Sequence, residues 1–283
     1  MKKSIRILLT ALLMLSFSFS LFRFWQQQQD KATSTNTYSD ALALASSGTI
    51  EATEPQEPTV PPTTEAVEET KPEPVPVWVV APLEEEDPHI QTLMDMDLDA
   101  LREVNPDVVG WILIPDTKIN YPLMQGEDND YYLNHTWDQK KNGAGSIYLE
   151  QLSNPELTDF NTIIYGHNMA NGSMFANLHQ YRYQNFWESH PYVYIRTDEG
   201  VYRYEIFSAY RANVDSSTYA LSFSEDGFKE EFLDYVLSES VIETGVQPET
   251  TDRILTLSTC SGAGYSTRWV VQARLKMELR YEM

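Results

Sequence analysis

Cys260 is the only cysteine among 283 residues. It stands in the stretch LSTCSGAGYSTRW, with Arg268 eight residues further on. A lone thiol without an internal partner is an inert core group, half of an intermolecular bridge, or a reactive group. The core role is common for free cysteine. Two local features point away from it: Cys260 closes the run TLST, and the SGAG that follows would let a substrate backbone come close. A thiol that attacks a carbonyl needs a proton-handling partner and something to hold the developing oxyanion. His167, in NTIIYGHNM, also ends an apolar run and enters a turn, a placement that suits an acid/base group. Arg268 is either a surface charge paired with one of many acids, or a permanent cation whose planar donor fork suits a tetrahedral intermediate. His179 in MFANLHQY and His190 in WESHPY read as surface or capping residues, and His135 and His89 as structural ones. No two histidines have metal-ligand spacing and one cysteine cannot build a structural zinc site, so neither metal nor cofactor is expected.

The elements that must position these groups lie between residues 89 and 283, which hold all five histidines and are enough chain for one domain with its own core. Eight β-branched and aromatic runs punctuate this region: VVGWILI, INYPLM, SIYLE, NTIIYG, YVYIRT, YRYEIFSAYRA, ILTLST and RWVVQARLKMEL. Asp, Asn, Gly and Pro clusters separate them, so they read as strands. Ahead of them Ile90, Leu93 and Met94, then Leu98, Leu101 and Val104, recur at helical spacing until Pro106, predicting one or two short helices. In FSEDGFKEEFLDYVLSES, Phe228, Phe232 and Val236 recur every four residues behind a Ser224 or Asp226 cap, predicting a helix before the Cys260 strand. Eight short strands with few helices favour a closed or nearly closed barrel, because closure removes edge strands.

The chain before residue 89 has a different character. Lys2, Lys3 and Arg6 precede the apolar run Ile7–Phe22, 16 residues that would span about 24 Å as a helix. Arg6 and Arg23 can snorkel from its ends, and Phe24 and Trp25 suit an interfacial belt. The basic residues in front place the N-terminus in the cytoplasm and the remainder outside. LFRFWQQQQD offers no small-x-small cleavage site, so residues 1–25 are expected to be an uncleaved single-pass membrane anchor. Residues 26–88 hold 9 of the 15 prolines, one glycine, and 13 acidic residues against Lys31 and Lys71, which is half of the net charge of −22. That composition predicts a disordered, self-repelling stalk. The acidity therefore does not signal a basic ligand, and with residues 89–283 also net negative, nucleic acid is excluded as a partner.

TLSTC with Arg268 eight residues on, IIYGHNM upstream, VGWILIPDTKINYPLMQGEDNDYYLNH, GSIYLE and GHNMANGSMFANLHQY together resemble the sortases, specifically class B, over about residues 98–283. The resemblance implies an all-β barrel of about eight strands with N-terminal helices and one helix inserted before the Cys strand. It implies a membrane-anchored cysteine transpeptidase on the outer face of a Gram-positive cell. Such an enzyme cleaves a C-terminal sorting motif of secreted proteins after threonine and passes the acyl group to an amine of a cell-wall precursor or a pilin. By motif, Cys260 is the nucleophile, His167 the general acid/base and Arg268 the oxyanion stabiliser together with a backbone N–H near Ser261. Asn129, Leu133 and Ser258 match groove-lining positions. No clustered acidic loop suggests the calcium site of class A members. Two rivals stay open on the residues alone: a secreted cysteine hydrolase with water as acceptor, and a non-catalytic stalked binding protein.

Overall fold

All eight predicted strands form, and they close on one another. A computed structural model describes residues 2–46, 76–77, 87–262 and 266–281. Its strands are β1 (Pro76–Val77), β2 (Val108–Leu113), β3 (Asn120–Met124), β4 (Ile147–Leu149), β5 (Asn161–Tyr165), β6 (Tyr192–Thr197), β7 (Gly200–Asn213), β8 (Ile254–Cys260) and β9 (Thr267–Tyr281). Strands β2 to β9 make a ring in the order β9-β7-β6-β2-β3-β4-β5-β8, closed by pairing of β8 with β9. The β3–β4 and β5–β8 pairs are parallel and the others antiparallel. The unpredicted β1 only extends the far end of β9. The interior is filled by large side chains, among them Trp111, Tyr132, Phe175, Tyr202 and Tyr204, all fully buried.

Two short helices precede the barrel, α2 (Pro88–Met94) and α3 (Leu98–Val104), capped by the side chains of Asp87 and Asp97. They bury Ile90, Leu93, Leu98 and Leu101, while Met94 is half-buried and Val104, which the spacing also selects, is exposed at the end of α3. The short helix α4 (Gln184–Ser189) follows the site segment. The inserted helix α5 (Asp226–Ser238) buries Phe232, Leu233 and Val236, but its N-cap, Glu225, makes no side-chain cap bond and Phe228 is exposed. The four-residue spacing had included Phe228. It stands in the first turn, before the helix meets the sheet.

The largest departure concerns the stalk. Helix α1 runs Lys2–Ser46 and takes in residues 26–46, expected to be disordered; most of residues 47–88 lie outside the described residues. Tyr38, Ala41 and Ala45 of α1 are buried in the main core. Tyr38 donates to the Gly145 carbonyl, its ring meets Tyr121 edge-on, and Trp137 Nε1 donates to the Thr37 carbonyl over 3.0 Å. Residues at i, i+3 and i+7 share one helix face, and alanine lets that face approach closely. A composition averaged over 63 positions conceals such a stripe. Among the described residues, no helix is long and apolar enough to cross a membrane; half of the side chains of the run Ile7–Phe22 lie outside that set.

Candidate active site

Cys260 ends β8, between β5 on one side and β9 on the other. The parallel β5–β8 register places Tyr165 beside Ser258, so the chain leaving β5 as Gly166–His167 comes out next to Cys260. The antiparallel β8–β9 register pairs Cys260 directly with Arg268. Residues opposite in an antiparallel pair project to the same face, so one strand end receives an imidazole from one neighbour and a guanidinium from the other. Cys260 itself is exposed. The three side chains share an open cavity of about 230 Å³ with Asn129, Leu133, Tyr148, Tyr165 and Ser258. That is smaller than the roughly 300–1,000 Å³ of small-molecule sites and suits an extended peptide laid across it.

The electrostatics tie the groups together. A hydrogen bond with His167 holds the Cys260 thiol below its ordinary value; partial burial opposes this, and the charge of Arg268 adds to it. The same bond raises the His167 imidazole, against burial and Arg268, with help from the Leu133 carbonyl. His167 Nε2 lies 2.7 Å from that carbonyl oxygen. Both directions favour a thiolate beside an imidazolium. The Leu133 carbonyl passes close to Gly145, whose φ is +57°: its oxygen lies 2.7 Å from where a Cβ would stand. Only glycine fits there.

A family profile described as the sortase domain matches residues 112–276, more than half of the chain. The chain belongs to the sortase family. Sortase B of Listeria monocytogenes is 41% identical over 181 residues, 63% of this chain and 74% of the relative. Sortase B of Staphylococcus aureus is 35% identical over 179 residues, 62% of this chain and 73% of the relative. The 2.0 Å crystal structure of Staphylococcus aureus sortase B superimposes with a TM-score of 0.61 at 33% identity, covering 63% of this chain and 86% of that one. The protein is thus a class B sortase and a cysteine transpeptidase.

Within this sortase the expected groove residues divide. Asn129, Leu133 and Ser258 line the cavity and Ser261 does not. Asn129 spends its amide on the wall: Nδ2 donates to Glu150 over 2.7 Å and Oδ1 accepts from the Gln151 N–H. Ser258 Oγ pairs with the Tyr219 hydroxyl at 2.9 Å. The Ser261 N–H points toward the Thr267 carbonyl oxygen, 3.4 Å away, and its Oγ meets Thr267 Oγ1. Glu150, Tyr148 and Tyr165 escaped the sequence reading; Tyr165 donates to the buried Glu150 carboxylate at 2.9 Å. His179 was misread. It is buried rather than a surface residue, stacks on Trp269, and has Nε2 2.9 Å from the Cys260 carbonyl oxygen. Burial holds its pKa below the ordinary value, the Cys260 carbonyl opposes that, and Arg182 and Arg211 add to it. The signal available was its place 12 residues after His167, in a 3-10 helix, Phe175–Arg182, that returns to the same strand end.

Proposed function

We propose that this sortase works outside the cell, held to a membrane through Ile7–Phe22, and cleaves a C-terminal sorting motif of secreted proteins after threonine. The observation that carries the reading is the convergence of three groups on one open groove: a thiol with lowered pKa, an imidazole with raised pKa and a guanidinium in register. The Cys260 thiolate attacks the threonine carbonyl carbon, forming the C–S bond while the carbonyl π pair moves onto oxygen. Arg268 and the Ser261 N–H stabilise that oxyanion. His167 gives its proton to the departing amide nitrogen as the C–N bond breaks, leaving a thioacyl-enzyme. An amine of the cell wall or of a pilin lysine then attacks the thioester carbonyl and loses a proton to His167. The new amide forms and the thiolate returns. The run Ile7–Phe22, with Lys2, Lys3 and Arg6 before it and Arg23 after it, supports the anchor.

Mass spectrometry of a sorting-motif peptide incubated with the protein, with and without added amine, tests the reading. A product joined to the amine is expected. A free acid as the sole product in the presence of amine would make the chain a hydrolase, and an unchanged peptide would overturn the substrate class.

A further inference from the structure

The carbonyl of Cys260 is held by side chains that the chemistry above does not use. Asn168 Nδ2 lies 3.2 Å from its oxygen and His179 Nε2 lies 2.9 Å from it. The two side chains also touch each other, Asn168 Nδ2 to His179 Nε2 at 3.0 Å. The clamp needs the tautomer with a proton on Nε2: the ring then donates to the Cys260 oxygen, Asn168 Nδ2 donates to the same oxygen, and the approach of Nδ2 to Nε2 is a contact between two donors that share one acceptor. The ring is locked by its stack on Trp269, centroids 5.7 Å apart at 24°. The backbone around it is tied by Phe175 N–H to the His167 carbonyl over 2.9 Å.

A peptide unit is planar and trans, so fixing its carbonyl also fixes the direction of its N–H, opposite to the carbonyl. The N–H on the Cys260 carbonyl's peptide unit is that of Ser261. Its bond to Thr267, 3.4 Å long, is longer than the usual 2.7–3.2 Å, so a developing oxyanion can readily replace it as acceptor. We infer that His179 and Asn168 are positioning residues for acyl transfer: they clamp the Cys260–Ser261 peptide and so aim the Ser261 N–H that serves the oxyanion. The inference rests on Cys260 being an acylated nucleophile, and not on which peptide acylates it.

Two reactions of the same thiol separate this role from a general structural one. Nitrophenyl acetate acylates the thiol: the C–S bond forms through a tetrahedral oxyanion and nitrophenolate leaves with the electron pair of the C–O bond. Iodoacetamide alkylates it by displacing iodide, with no oxyanion. The variants are His179→Phe, which keeps a ring on Trp269, Asn168→Ala, which alters an exposed side chain, and His179→Gln, whose amide restores a donor. On the full chain, His179→Phe and Asn168→Ala are expected to slow acylation about tenfold, as small misplacements of a catalytic donor do. The rate and pH profile of alkylation should stay within twofold of the parent, and His179→Gln should recover most of the acylation rate. With the sorting peptide the loss should fall on kcat and leave KM within twofold. Unchanged acylation in Asn168→Ala and His179→Phe would overturn the inference. So would an equal loss in alkylation, or a folded His179→Gln as slow as the Phe variant. A parent that acylates with the ester but leaves the sorting peptide intact would instead count against the proposed substrate class.

Discussion

The two flanks of Cys260 are built differently. On the β5 side, position is set by tertiary bonds: Gly166 N–H to the Ser258 carbonyl and Phe175 N–H to the His167 carbonyl, His167 Nε2 to the Leu133 carbonyl, and Asn168 and His179 to Cys260. On the β9 side, position follows from strand register. Cys260 pairs with Arg268, and the guanidinium donates to its own neighbour, the Thr267 carbonyl, over 3.2 Å. The contrast matches the two tasks. In the proposed reaction the β5 flank would carry the proton donor, aimed by its bond to the Leu133 carbonyl, and the β9 flank would bring a cation to the oxyanion along a strand.

Replacing the atom both flanks serve should have the largest effect. Cys260→Ala should abolish turnover with little change in melting temperature, because the residue is exposed at a strand end; ordinary peptide turnover by this variant would sink the mechanism. Next comes the tertiary flank. His167→Ala should cost on the order of 10²–10⁴ in kcat, the usual range for a lost acid/base group. Since His167 is the main cause lowering the Cys260 pKa, its loss should move the alkylation profile to higher pH, toward an ordinary thiol. The register flank follows. Arg268→Lys should fold normally and lose on the order of 10²–10³ in kcat, with KM changed less, because a point-charge ammonium cannot fork. Arg268→Gln should move the alkylation profile upward as well, by less than His167→Ala, since Arg268 is the smaller cause. Near-normal turnover with lysine would reduce the arginine's role to its positive field.

The smallest effect concerns a support behind the tertiary flank. Tyr38 of α1 bonds to Gly145, the glycine that the Leu133 carbonyl approaches closely. Tyr38→Phe should cost about 1 kcal/mol of stability, the size of one buried hydrogen bond, read by denaturant melts. A chain beginning at residue 87 should lose several degrees of melting temperature relative to one beginning at residue 26. Equal melting temperatures would mean that α1 adds nothing to the domain.

What was legible follows from how locally each feature is encoded. The eight strands could be read because β-branched and aromatic runs declare themselves within a few residues, and the meeting of Cys260, His167 and Arg268 at one end of the barrel because Cys260 and His167 close such runs and Arg268 opens one. His179 could not be read. Its partner, the Cys260 carbonyl, lies 81 positions away, and a histidine inside a 3-10 helix carries the same local pattern whether it caps or clamps. Asn129 lines the cavity, while the diversion of its amide to Glu150 depends on a fold-back of 21 residues. The packing of α1 on the barrel was lost for another reason: a stripe of one tyrosine and two alanines is weak beside the proline and acid of the residues after it.

The closure of the barrel through β8 has a consequence for the chain before it is folded. β5 and β8 are 93 positions apart in sequence at every pair, from Asn161↔Ile254 to Tyr165↔Ser258, so this seam is among the late pairings that loop-closure entropy allows. Until it zips, Cys260 has no imidazole beside it, and its thiol reacts no faster than any free cysteine. The nucleophile is therefore armed by the same event that completes the fold: a nascent or misfolded copy carries a quiet sulfur, and thiol reactivity in a mixed population counts finished molecules.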